Sequence, residues 1–235
     1  MKSHALPAMG LAILALTFIS PAVSRADILY SNLGAGGTYN TSGGNTAGYA
    51  LDGNGVPYNY RHAAEFTSSA TETFGTLRIA LSCAGGLSGP CSGDPLAISL
   101  ATNSAGHPGS VLETFNLNSS TLGDFGLNNP LLVFNSLLHP TLTIGTQYWI
   151  TVTDISANNV SALDSIAWNW NSTGDAPSHG SFSQDGGVNW VSGETPGAYE
   201  ITGAVPEPAS ILLFGPVALL ALRRMRSAAT LQSRQ

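Results

Sequence analysis

Between residues 27 and 204 the chain has no lysine and only two arginines, Arg61 and Arg78, set against thirteen acidic residues. A body so short of positive charge repels phosphate backbones and anionic lipid, which excludes nucleic acid and acidic membrane surfaces as its partners. Cations, neutral glycans and basic proteins stay open. Cysteine is nearly as scarce: Cys83 and Cys91 are the only two, and they bracket the glycine-rich CAGGLSGPC. That spacing is not CxxC and no histidine adjoins it, so a redox pair is excluded. The signatures of catalysis are missing as well. There is no G-x-S-x-G elbow and no P-loop, and His62, His107, His139 and His179 are scattered without an HxH or HExxH spacing. Zinc is therefore not expected, the histidines read as surface residues, and no enzymatic activity is expected. Paired carboxylates meet only in three dimensions, which leaves a glycoside hydrolase as the remaining enzymatic alternative.

Helical periodicity is also lacking outside the two termini; what is present is alternation. Leu77, Ile79 and Leu81 alternate with Arg78 and Ala80, Leu96, Ile98 and Leu100 with Ala97 and Ser99, and Tyr148, Ile150 and Val152 with Trp149, Thr151 and Thr153. Each run is expected to bury one face only. Further strands are expected near 28–31, 63–67, 111–117, 131–134, 166–170, 188–191 and 199–202, punctuated by turns at GHPG (106–109), TIGTQ (143–147) and DGG (185–187). Short, evenly spaced strands of this kind predict an all-β fold, an antiparallel β-sandwich or jelly roll. The glycine-rich stretch 34–59 is too long for a simple connection and is expected as a surface loop or a weak edge strand.

Three groups of residues in the body suggest sites. SQDGGVNW, with Ser183, Asp185, Gly187 and Trp190, fits the Asp-box pattern: a hairpin in which Asp185 binds turn amides and Trp190 packs beneath. Trp168 and Trp170 share a strand face by their spacing, and sugar rings stack on exposed indoles, so the pair is a candidate glycan platform. No dedicated cofactor is expected; calcium is the one ion for which oxygen ligands are at hand, at Asp52 with Asn54, at Asp154 or at Asp164.

The termini speak about destination. Lys2, an apolar run from Leu6 to Ile19 and the small residues of Ser24-Arg25-Ala26 make an N-terminal signal helix, residues 1–26, that signal peptidase would cut before Asp27. Export to an oxidising compartment lets Cys83 and Cys91 pair, and closing so small a loop is worth roughly 2–3 kcal/mol. At the other end stand Val205-Pro206-Glu207-Pro208, a hydrophobic helix over 209–222 interrupted by Pro216, and Arg223, Arg224 and Arg226. An exported chain halts when such a segment enters the bilayer, and its arginines stay cytoplasmic with the tail 227–235.

This order resembles the PEP-CTERM sorting signal of exopolysaccharide-producing Gram-negative bacteria, a tail also catalogued as an ice-binding protein C-terminal domain. Two departures are visible: Met225 breaks the arginine cluster, and SAATLQSRQ follows it. The resemblance implies an exosortase partner that reads Pro206, Glu207 and Pro208, transient residence in the inner membrane, and delivery to the cell surface or the extracellular matrix. The body, over roughly residues 60–195, is similar to the choice-of-anchor R domain through Gly106-His107-Pro108-Gly109-Ser110-Val111-Leu112 and Gly145-Thr146-Gln147-Tyr148-Trp149. Together these imply a non-enzymatic envelope or matrix protein associated with exopolysaccharide and biofilm, with a carbohydrate-binding module as the alternative.

Overall fold

The alternating runs become strands, and turn chemistry decides where each stops. A computed structural model describes residues 26–51, 57–84, 91, 93–155 and 165–205, all within the unit Arg25–Val205. The expected signal helix and the C-terminal hydrophobic helix lie outside the described residues. Two antiparallel sheets form a β-sandwich. The smaller has the order β1 (Ile28–Ser31), β14 (Tyr199–Gly203), β4 (Glu72–Ile79) and β8 (Leu132–Asn135), with β9 (Thr141–Leu142) also on β4. The larger runs β5 (Leu81–Cys83), β11 (Ile166–Asn169), β2 (Gly44–Leu51), β3 (Pro57–Thr67), β10 (Gln147–Asp154), β6 (Pro95–Ser104) and β7 (His107–Asn118). A hairpin of β12 (Gly180–Ser183) and β13 (Val191–Glu194) attaches to β3 through β12.

The inner faces meet in one main core. Phe74, Leu77 and Ile79 from β4 and Ile201 from β14 pack with Ile98 and Leu100 from β6 and Ile150 and Val152 from β10. The larger sheet curls because its partners change along a strand. β2 pairs through its first half with β11 and through its second half with β3, and Gly48 stands at the changeover with φ +134°, where L side chains are strained. β3 in turn gives its first residues to β2 and the rest to β10 and β12.

Three expectations change. Within the glycine-rich stretch, residues 44–51 form β2, an inner strand flanked by β11 and β3, while residues 34–43 before it form turns and isolated bridges. β10 buries both faces, because Trp149 packs with Ala63, Ala101 and the partly buried Trp190 on the side away from the main core. The strand expected at 188–191 begins at Val191 instead, because Val188 is held in a turn by Asp185 and is 78% exposed.

Candidate functional site

One face of β3 leads from the core to a cleft. By alternation Tyr60, His62, Ala64 and Phe66 point the same way; Ala64 and Phe66 are in the core, while Tyr60 and His62 line a hollow of about 370 Å³. β2 contributes Asn45 and Thr46, β13 contributes Glu194, and Ser165 closes the wall. Gly44 and Gly48 also line it. Asn45 is held on two sides, donating to the Thr195 carbonyl at 2.8 Å and accepting from Trp170 Nε1 at 2.7 Å.

His62 is 4% exposed and lies between two acceptors. Its Nε2 is 2.8 Å from the Thr46 carbonyl oxygen, which can only accept, so that nitrogen carries hydrogen. Its Nδ1 is 2.8 Å from Glu194 Oε2. One proton therefore sits between Nδ1 and Oε2, whichever atom holds it, and the pair ties β13 to β3. Glu194 Oε1 accepts no hydrogen bond among the described residues. Tyr60 accepts from Gln184 at 3.1 Å, and its own hydroxyl hydrogen meets no acceptor among them. An unused donor and an unused acceptor thus border the same cleft.

A second polar cluster lies where β1 meets the loop 171–179. Tyr30 donates to Asp175 at 2.5 Å, Asn32 donates to the same carboxylate at 3.2 Å, and His179 Nδ1 is 2.7 Å from its other oxygen. Burial pushes the Asp175 carboxyl up, but the bonds from Tyr30, His179 and Asn32 outweigh it and leave the group below its usual value. Burial and the neighbouring Asp175 raise the Tyr30 phenol. The arrangement fixes a loop in place.

The residues singled out in the sequence fare differently. Trp168 has no exposed surface and packs 5.7 Å from Tyr199 in the core, so it cannot be half of a glycan platform. Trp170 is half-buried, with Gly43 so close beneath its ring that a Cβ there would come within 2.1 Å. The platform is thereby corrected, because the strand's inward face belongs to the core. Cys83 and Cys91 are disulfide-bonded, as expected. No group of three potential metal ligands occurs among the described residues. Asp52, Asn54 and Asp164 lie outside them, as do Pro206, Glu207, Pro208, Arg223, Arg224 and Arg226. The reading of the histidines as surface residues fails for His62; period-two spacing from the core residues Phe66 and Ala64 was the signal that could have found it.

The Asp-box hairpin has the expected geometry. Asp185 Oδ1 accepts from the amides of Asn189 and Val188 and from Ser183 Oγ, at 2.9, 3.1 and 2.8 Å, and Gly186 and Gly187 have φ of 74° and 90°. Bonds from the Asn189 amide and side chain, then from Ser183, hold the Asp185 carboxyl down at about 2. Because that value is depressed, the turn's contribution is complete above the ordinary carboxylate value near ~4 and is lost as pH falls through about 2. The Asn189 amide resonance should titrate with a midpoint near 2 and lose that titration in Asp185→Asn; a midpoint near ~4 would contradict the geometry.

No protein-family model matches the chain, and no curated protein matches it.

Proposed function

We propose that this is an exported, non-enzymatic β-sandwich protein of the cell envelope or extracellular matrix, delivered by an N-terminal signal and released from the inner membrane by an exosortase-type enzyme. The observation that carries the reading is the sequence order of the tail: Pro206-Glu207-Pro208, an apolar segment over 209–222, then Arg223, Arg224 and Arg226. An apolar segment followed by arginines halts an exported chain with the residues before it on the far side of the membrane, where a processing enzyme would meet them. The Cys83–Cys91 bond supports an oxidising destination, and the lysine-free acidic body suits a matrix of neutral polymer.

Expression of the full chain and of Glu207→Ala in an exosortase-bearing host tests the reading. The wild-type chain should lose its tail and leave the inner-membrane fraction, while the variant should accumulate there as precursor. Equal processing and equal distribution of the two would overturn it.

A further inference from the structure

We propose that the cleft between β2, β3 and β13 binds a neutral sugar residue, with Tyr60 as its stacking face and Glu194, positioned by His62, as its hydrogen-bond acceptor. This goes beyond the export reading and does not depend on where the chain is delivered. The volume of about 370 Å³ lies within the ~300–1,000 Å³ usual for small-molecule sites. The lining selects the chemistry. Among the described residues no lysine or arginine lines the cleft, so a phosphate, sulfate or uronate meets no counter-charge from them. The nearest carboxylate already shares a proton with His62, and no third metal ligand stands beside the pair among the described residues, so a divalent cation lacks its donor set.

A hydroxyl group is the ligand that both donates and accepts. Glu194 Oε1 is an acceptor with no partner among the described residues, and the Tyr60 hydroxyl hydrogen is a donor with none. Each can therefore pair with a sugar hydroxyl in the cleft that both groups line. Tyr60 also offers a half-buried ring, backed by Tyr58 at a centroid distance of 5.5 Å, on which the apolar C–H face of a pyranose can lie. The site is built before the ligand arrives: His62 is buried, Asn45 is held from both sides, and Glu194 is anchored through one oxygen only. Little ordering remains to oppose binding.

The test is ligand-observed saturation-transfer NMR on the full chain in detergent. The probes are cello-, xylo- and manno-oligosaccharides, with oligo-alginate as the anionic control. At least one neutral oligosaccharide should bind saturably at millimolar concentration, and alginate should not. Tyr60→Ala and Glu194→Met, which removes both carboxylate oxygens at similar length, should each weaken that binding ten-fold or more. Tyr60→Phe, which keeps the ring and removes only the hydroxyl, should weaken it several-fold with unchanged unfolding temperature, so that a variant that fails to fold does not decide the matter. Absence of saturable binding across the neutral panel would overturn the proposal. So would binding that survives Tyr60→Phe and Glu194→Met undiminished, or a preference for alginate.

Discussion

Trp168→Ala should cost about 3–5 kcal/mol of folding stability, the range for removing a large aromatic from a packed core. The indole is fully buried, its Nε1 donates to the Ala198 carbonyl at 3.2 Å, and Tyr199 lies 5.7 Å away. Gly197 presses on the ring so closely that a Cβ there would come within 2.2 Å of it, which leaves the indole no room to move and the cavity no easy way to collapse. Denaturant unfolding of the full chain measures the loss. A cost below about 1 kcal/mol would mean that the ring is not the core element described here. The same substitution is a poor test of sugar binding, because weakened binding would follow from weakened folding.

Glu113→Ala should be nearly as damaging, by about 2–4 kcal/mol, because it leaves the buried Ser136 hydroxyl and two partly buried backbone amides without their acceptor. Glu113 is 4% exposed, and its carboxylate accepts from Ser136 Oγ at 2.6 Å and from the amides of Leu137 and Leu138 at 2.6 and 3.2 Å. Ser136 Oγ in turn accepts from the His139 amide at 2.9 Å. One side chain from β7 thus holds the loop that follows β8, and it holds two leucines in water, 84% and 68% exposed. The loss should therefore show locally as well as globally. Hydrogen exchange at the Leu137 and Leu138 amides should speed up by more than global unfolding accounts for, and proteases should cut there first. Exchange rates that change only in step with global stability would show that the carboxylate is not the loop's anchor.

The contrast between these two residues shows what could be read in the sequence. Leu77, Ile79, Ile98 and Leu100 announced the main core, because a strand that buries one face writes its burial as alternation. β10 wrote the same pattern yet buries its second face, since the Trp149 side is covered by a hairpin distant in sequence. β2 was hidden for a related reason: its glycines carry no side-chain pattern, and only pairing with β11 and β3 makes it an inner strand. The Asp-box hairpin was legible because its chemistry is local, from Ser183 to Trp190. The cleft was not, because Asn45, His62, Ser165 and Glu194 come from four separate segments. Glu113 was silent for the same reason, its partners lying more than twenty residues away. The tryptophan pair misled because spacing of two fixes a shared face but not which face.

Delivery to the envelope is decided by the intact mass, with terminal peptides, of the protein recovered from its native host. The mature chain should start at Asp27, carry the Cys83–Cys91 bond, and lack the apolar segment 209–222 with its arginines. A mature chain that retains residues 1–26 and the whole of 209–226 would contradict it.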